Sequence, residues 1–559
     1  MRVLILDGYT DEPAGFGVPP YIDVYPRYVA GVFWLHDPST FIRYVTVDEA
    51  RRELQRFLAE ARSYDVVVVV AGAVVPGRYI GGKPITLEEL KTWFRMLEGP
   101  KKVLAGAAAR WGIGNEGGRV AALPREVRES FDHIVTGDPE AFLLEALQDG
   151  FEKAAEWRIL EDLSVLDKIA VKGARIVEQH PSYGYNLTAE LETYRSCSRW
   201  VTGGCSFCVT KLYGRPRQRT PESIVREAEA LYTAGVRHFR IGRQADILVY
   251  GSPELGSVEW PRPSPEALRR LLYGIRVAAP GLKTLHIDNV NPGTIVRHRE
   301  GSIEALKTIV EYHTPGDVAA LGIETVDPRV VKLNNLKTGP EESLEAIRIV
   351  HRVGARRGYN GLPELLPGIN FVVGLPGETA ETYRLNTELL RRVEEEGLLV
   401  RRVNVRKVLV LPGTMLAARV HEIQALLRRH EKRIRRFQRF VMEFSARMLR
   451  RLVPPGTVLR SLYVERYEAS LGATLARQAG SYPLVAELPC KLEPPQVLNV
   501  YVYGYAGRSV RAVPVPLNPH ASRMGVLSKA FGRQTALRLK RGENLRGLEA
   551  FTSPGGFAC

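Results

Sequence analysis

Residues 194–208 read YRSCSRWVTGGCSFC, and this stretch contains Cys197, Cys205 and Cys208, three of the five cysteines of the chain. Three thiolates so close together can bind a metal ion or an iron–sulfur cluster. Three ligands rather than four leave one coordination position open, and catalysis at a metal centre requires an open position. The stretch therefore predicts a catalytic centre.

A structural zinc site is one alternative for these cysteines. Such a site needs four ligands, and because Cys490 and Cys559 lie far along the chain, His238 or His286 would have to complete it. Disulfide bonding within the stretch is disfavoured, since the number of cysteines is odd and the chain is poor in them. A [4Fe-4S] cluster with one iron left for a substrate or cofactor fits a Cys-x-x-Cys pair beside two glycines better.

The length and composition describe a folded protein of several domains. At 559 residues, 45% hydrophobic and 25% charged, the chain predicts roughly three to four domains. It has no leader pattern at its start and no apolar run near the ~18 residues of a membrane span, so we expect a cytoplasmic protein without a membrane partner. The net charge of +16 favours nucleic acid as a partner, although an arginine-rich thermophile surface gives the same excess.

Apolar strands alternate with helical patterns over residues 1–165. Residues 1–9 and 66–70 have the pattern of buried strands, as do 102–106 and 134–137, and residues 47–62 have that of a helix. This alternation predicts a doubly wound, Rossmann-like α/β domain whose ligands bind beyond the strand ends.

A second alternation fills residues 185–418. A predicted helix precedes each of the last five of six predicted strands, which cover residues 187–193, 236–242, 282–287, 318–323, 369–373 and 402–411. Six such units predict a partial (β/α)6 barrel of the TIM type. Ligands should bind at the carboxyl ends of its strands, where the first strand leads into the three cysteines.

The rest of the chain shows three patterns. Residues 419–453 form a strongly basic helix with one apolar face, whose cations are either solvated or in contact with phosphates. Short alternating strands over residues 454–515 predict a small β-barrel of the OB type. Residues 516–559 predict a helical hairpin with its turn at Gly532.

The cysteine stretch resembles the signature of the radical S-adenosylmethionine (SAM) superfamily. Cys205-Ser206-Phe207-Cys208 matches the end of that signature, whose aromatic residue lies beside the adenine of SAM. The common signature has three residues between its first two cysteines, whereas this chain has seven. The resemblance implies that Cys197, Cys205 and Cys208 bind three irons of a [4Fe-4S] cluster and that SAM binds the fourth. Reductive cleavage of SAM would then yield a deoxyadenosyl radical.

Later barrel segments are similar to those of the methylthiotransferases in this superfamily, namely residues 241–246 (IGRQAD), 321–338, 371–379 (FVVGLPGET) and 410–414 (VLPGT). The resemblance implies that Phe207 contacts adenine and that Gly242 and Gln244 contact the methionine end of SAM. It also implies polar or close backbone contacts from Glu324 and Gly374. Glu324 fits equally well as a structural carboxylate paired with a barrel arginine.

Residues 476–510 resemble the TRAM domain, an RNA-binding β-barrel of tRNA methylthiotransferases, and residues 517–551 resemble a helix-hairpin-helix element. The order of domains is most similar to an archaeal family of radical SAM enzymes with a C-terminal helix-hairpin-helix motif. The resemblance implies an RNA substrate, tRNA first of all, which the small barrel and the basic helix hold at the mouth of the partial barrel. It also implies a reductant such as ferredoxin or flavodoxin.

Two other functions stay open. Residues 17–28 are similar to the start of cobalamin-binding domains, but no histidine of residues 1–150 stands in the Asp-x-His-x-x-Gly motif that binds cobalt. A cobalamin-dependent methylase of a non-RNA substrate is therefore an alternative without a ligand to support it. The other alternative is a non-catalytic RNA-binding protein with a structural metal.

Overall fold

The computed structural model describes residues 1–12, 15–73, 81–114 and 117–559. Its first part is a parallel sheet with a hydrophobic core on each face. Alternate residues of the first strand face opposite cores, Val3 on one side and Leu4 on the other. The predicted doubly wound arrangement is confirmed. In spatial order the strands are Phe41–Thr46, Arg2–Asp7, Val66–Val70, Lys101–Ala105 and His133–Ile134.

The helices of this first part differ from the prediction at one point. The helix expected over residues 47–62 is interrupted at Glu53, whose φ of −133° and ψ of 50° are not helical. The α-helices described here are Val24–His36, Val47–Arg52, Leu54–Ala61, Leu87–Arg95, Ala107–Trp111, Arg125–Arg128, Pro139–Asp149 and Leu166–Gly173.

The partial barrel has the six parallel strands that were predicted. Its third strand is interrupted at residues 287–288, and its sixth ends at Lys407, earlier than expected. The strands are Thr188–Glu192, His238–Gly242, Thr284–His286 with Asn289–Val290, Asp317–Glu324, Leu365–Val373 and Arg402–Lys407. The α-helices between them are Pro221–Thr233, Pro265–Ala278, Pro292–Arg297, Arg299–Tyr312, Pro328–Leu333, Pro340–Gly354 and Ala380–Glu395.

The amino-terminal domain covers both edges of this open barrel. The short strand Tyr21–Ile22 pairs in parallel with the first barrel strand. Beyond the sixth strand, the amide of Gly118 donates to the carbonyl of Val408 at 3.1 Å, and the amide of Ala121 donates to that of Val410 at 2.8 Å. Six strands leave two sheet edges with unpaired backbone groups, and these contacts satisfy part of both.

A closed five-stranded barrel follows, as predicted for an OB-type fold. The third strand of this barrel along the chain begins at Val485, because Tyr482 has a left-handed φ of 50° and lies in the preceding loop. Around the barrel the strands are Val458–Glu468, Ala473–Gln478, Val485–Leu488, Ser509–Val515 and Val497–Ala506.

This small barrel packs against the amino-terminal end of the partial barrel. The Tyr463 hydroxyl lies 3.1 Å from Nε2 of His238, the first residue of its strand. The Tyr185 hydroxyl, just before the first barrel strand, donates to the Val464 carbonyl at 2.8 Å. The starts of parallel strands lie opposite the cysteines, so the small barrel lies at the other end of the partial barrel from them. The expectation that this barrel holds RNA stays a prediction.

The basic helix is Val420–Leu452, and its apolar face is buried. Gln424 near its start donates to the Gly118 carbonyl at 3.3 Å, and Phe437 contacts Phe371 of the fifth strand with ring centroids 5.3 Å apart. The helix therefore runs from the mouth of the partial barrel towards its base, with many of its cations exposed. Among the helices described, this one included, none is long and apolar enough to cross a membrane.

The carboxyl-terminal helices Met524–Phe531 and Arg533–Lys540 meet at Gly532, as predicted. Cys490 and Cys559 form a disulfide that was not predicted from the sequence, and it closes a loop with a separation of 69 residues. A loop of this size stabilises the folded chain by about 4 kcal/mol through the entropy of the unfolded state.

We expect the double variant Cys490→Ser/Cys559→Ser to unfold at a lower temperature than the wild type. Thermal melting followed by circular dichroism measures this, with and without reductant. Reductant should lower the wild-type transition and leave that of the variant unchanged. Equal transitions for the oxidised wild type and the variant would contradict a stabilising disulfide.

Candidate active site at the carboxyl end of the partial barrel

The three predicted cysteines line one cavity of about 270 Å³. All three are free thiols, with Cys205 buried and the other two partly buried. The loop that carries them folds back through Gly203 and Gly204, whose φ values of 78° and 54° are left-handed and suit glycine. The seven residues between the first two cysteines are therefore accommodated without separating the thiols from the common cavity.

Charged groups and burial act on these thiols in opposite directions. Nη1 of the buried Arg199 lies 3.2 Å from Sγ of Cys205, and its Nε is 2.9 Å from a carboxylate oxygen of Glu259. Burial raises the pKa of Cys197 to about 12, and the proximity of Cys208 adds to this. Three thiolates in this setting need a cationic centre, so the donor set fits an iron–sulfur cluster with three cysteine ligands.

In the described part of the chain, no three His, Cys, Asp or Glu side chains are grouped closely enough to hold a single metal ion. His238 and His286, proposed above to complete a zinc site, face the other end of the barrel. The Nδ1 atom of His238 lies 2.9 Å from Oγ1 of Thr284, and Nδ1 of His286 accepts the amide of Ser481 at 2.8 Å. The zinc site completed by either histidine is therefore wrong.

Glu324 and Phe207 line the cavity, as expected. Glu324 has a left-handed φ of 65°, an unusual backbone conformation for this residue type, and its carboxylate lies 3.3 Å from Nζ of Lys337. Burial raises the pKa of Glu324, and the Lys337 ammonium opposes this. The carboxylate is thus paired with a lysine rather than with the barrel arginine considered as an alternative.

Three other predicted residues do not line the cavity. The Gln244 side chain is fully buried and donates to the Ile241 carbonyl at 3.1 Å. Gly242 lies against the buried carboxylate of Glu190, where a Cβ would come within 1.7 Å of Oε1. Gly374 has a φ of 95° and lies against Leu427 of the basic helix. These three residues lie behind the residues that line the cavity and pack against them or their neighbours.

The sixth strand contributes a wall that the sequence analysis missed. Arg402, Asn404 and Arg406 line the cavity, because alternate residues of a strand face the same side. The Asn404 amide donates to Oδ1 of Asn370 on the fifth strand at 3.0 Å. The alternation of polar residues in a strand of otherwise apolar residues was the pattern that could have revealed this wall.

Tyr482 lines the same cavity although it belongs to the small barrel. Its hydroxyl donates to Oδ1 of Asp288 at 2.8 Å, and Cζ of Arg402 lies 3.6 Å from its ring centroid. Burial, followed by the proximity of Asp288, raises the pKa of Tyr482 to about 12, so the hydroxyl remains a donor at neutral pH. No local pattern in the sequence connects this loop with the cysteines, which lie almost 300 positions earlier.

The family model of the radical SAM superfamily matches residues 191–390. An uncharacterized protein of Methanocaldococcus jannaschii is 40% identical over 516 residues, which cover 91% of this chain and 92% of the relative. This chain belongs to the radical SAM superfamily. It is therefore an enzyme of a superfamily that uses SAM and a [4Fe-4S] cluster.

More distant proteins extend the comparison of this radical SAM enzyme. A probable threonylcarbamoyladenosine tRNA methylthiotransferase of Archaeoglobus fulgidus is 27% identical, over 52% of this chain and 61% of that protein. Among solved structures, the radical SAM methyltransferase TsrM of Kitasatospora setae is 16% identical, with a TM-score of 0.48 and 74% of each chain covered. A TM-score at this level carries no functional argument.

Proposed function

We propose that Cys197, Cys205 and Cys208 hold a [4Fe-4S] cluster whose fourth iron binds SAM, and that the enzyme modifies tRNA or another structured RNA. The single observation that carries the cluster assignment is that three free thiols line one cavity at the carboxyl end of the barrel. When bound there and reduced by one electron from an external donor, the cluster and SAM would supply radical chemistry for removing a hydrogen atom from the substrate.

The side chains of the protein bind and orient the cluster and SAM. The Arg199 guanidinium stabilises the thiolate of Cys205 by a charge-assisted hydrogen bond. Phe207 presents an apolar surface for the adenine, and the Glu324–Lys337 pair offers polar contacts to SAM. Gly242, Gln244 and Gly374 act indirectly, by letting the neighbouring strands and the basic helix pack closely behind the cavity.

An RNA substrate is supported by the positive charge of the protein and by its similarity to a relative named for a tRNA substrate. The chain has a net charge of +16, and the basic helix begins near the mouth, where a Cβ on Gly374 would contact Leu427. Its exposed cations there include Arg428, Arg429 and Lys432. The relative from Archaeoglobus fulgidus is named for a tRNA substrate. We assign the RNA contact at the mouth to this helix, since the small barrel lies at the opposite end.

RNA binding should weaken steeply with salt, because each phosphate contact releases counterions. For contacts to about four phosphates, affinity should fall on the order of 100-fold between ~50 and ~200 mM salt. Fluorescence anisotropy with labelled tRNA measures this. The triple variant Arg428→Gln/Arg429→Gln/Lys432→Gln should bind more weakly and with a shallower salt dependence.

A matched triple variant on the first domain, Arg52→Gln/Arg56→Gln/Arg62→Gln, should bind as the wild type does. Salt-independent binding would remove RNA as the substrate. Mass spectrometry of nucleosides from cells with and without the protein identifies the product, since one modified nucleoside should be missing without it.

A further inference from the structure

The charges that line the cavity are strongly unbalanced. Six cationic side chains face it and Glu324 is the one carboxylate among its described lining residues, the cations being Arg199, Lys211, Lys337, Arg402, Arg406 and Lys407. Three of the cations have evident local roles near the cysteines. Arg199 contacts the Cys205 thiol, Lys337 pairs with Glu324, and Lys211 donates to the Gly203 carbonyl.

The arginines of the sixth strand are not balanced in this way. Within the described residues, neither Arg402 nor Arg406 forms an ion pair with a carboxylate. Burial lowers the pKa of Arg402, which reflects the cost of a cation withdrawn from water. Arg402 interacts at longer range with Asp288, and Arg406 with Glu324. These two carboxylates already pair with Arg240 and with Lys337, respectively. The remaining excess of positive charge in the cavity favours the binding of an anion.

The Arg402 guanidinium is also held in place. Its Cζ lies 3.6 Å from the centroid of the Tyr482 ring, and the Tyr482 hydroxyl is anchored to Asp288 at 2.8 Å. The ring packs against the guanidinium group and limits its movement, and the N–H groups of an arginine held in this way can bind an oxyanion. Arg406 lies four residues further along the same face of the strand, closer to the mouth.

We propose that Arg402 and Arg406 form a phosphate-binding subsite that holds a backbone phosphate of the nucleotide being modified. The inference rests on the proposed RNA substrate and extends it to a defined contact inside the cavity. Phosphate rather than carboxylate is favoured because Arg402, Arg406 and Lys407 all line this cavity, and a phosphate carries more charge and more acceptor oxygens than a carboxylate. Tyr482 is a positioning residue for Arg402.

The test uses the full-length, cluster-loaded enzyme under anaerobic conditions, with inorganic phosphate as the probe. Isothermal titration at constant ionic strength should show one saturable site. Arg402→Gln and Arg406→Gln should each weaken phosphate binding at least tenfold, since each removes charge-assisted hydrogen bonds. Arg56→Gln, an equal charge change on an exposed helix of the first domain, should leave it unchanged.

Variants of Tyr482 separate positioning from a general structural role. Tyr482→Phe keeps the ring under Arg402 and should weaken phosphate binding only a few-fold, whereas Tyr482→Ala should weaken it about tenfold. Both variants should retain the visible absorbance of the cluster. Equal binding by Tyr482→Ala and the wild type would remove the positioning role.

Three outcomes would overturn the subsite. They are the absence of saturable phosphate binding, acetate binding as tightly as phosphate, and displacement of phosphate by saturating S-adenosylhomocysteine, which would assign the arginines to the carboxylate of SAM. Failure of the proposed function is distinguishable, because it would appear as absent cluster loading or absent SAM cleavage in the wild type.

Discussion

Replacing Cys205 with alanine is expected to reduce the formation of deoxyadenosine from SAM to background. Cys205 is the buried member of the trio, and its thiol is the one that Arg199 contacts at 3.2 Å. Two cysteines cannot hold a cluster that needs three protein ligands to leave one iron for SAM. The same loss is expected for Cys197→Ala and Cys208→Ala.

Two measurements check this expectation. Iron and sulfide analysis after anaerobic reconstitution reports cluster loading, and chromatography after addition of dithionite and SAM reports deoxyadenosine. The matched control is the double variant Cys490→Ser/Cys559→Ser, which removes the same kind of side chain from the distant disulfide. This control should load iron and cleave SAM as the wild type does.

A wild-type protein that binds zinc without sulfide would contradict the cluster. So would a Cys205→Ala variant that still cleaves SAM at the wild-type rate. Either result would leave the barrel intact and remove the chemistry assigned to it.

The side of the cavity that contains the cysteines could be predicted, because its residues lie close together in the sequence. One stretch of 15 residues contains all three thiols and Phe207, and a strand that ends at the mouth carries it there. The alternation of strands and helices likewise predicted the six-stranded barrel. Such patterns depend on neighbours along the chain and are therefore visible without a structure.

The opposite side of the cavity depends on contacts between distant segments. Tyr482 reaches the cavity only because the small barrel packs on the amino-terminal end of the partial barrel, which no periodicity reveals. Tyr21–Ile22 joins the barrel sheet from within the first domain for the same reason. The contact of Gly374 with SAM, implied by similarity to a family, stays a prediction; the structure adds that a Cβ at this residue would contact Leu427 of the basic helix.

Gly242→Ala is expected to destabilise the partial barrel by about 3 kcal/mol, because it disrupts a buried ion pair. A Cβ at this position would lie 1.7 Å from Oε1 of Glu190 and 2.6 Å from Nη1 of Arg240. The two side chains form a salt bridge with each other and are fully buried, so neither can swing into solvent to make room. Arg240 also pairs with Asp288 at 2.5 Å, so the disturbance would extend to the carboxylate that anchors Tyr482.

Thermal unfolding of the chain without cluster or SAM measures this effect, and the melting temperature should fall by roughly 6–12 °C. Gly525→Ala is the matched control, since its Cβ would meet nothing within 4 Å in the first turn of a helix, where alanine is tolerated or favoured. Gly242 serves either to admit SAM or to make room for the Glu190–Arg240 pair, and these two roles predict different melting temperatures for the ligand-free variant. If the glycine serves only to admit SAM, the ligand-free variant will melt with the wild type and will differ only in SAM affinity. If it makes room for the Glu190–Arg240 pair, the loss of stability will be complete before any ligand is added.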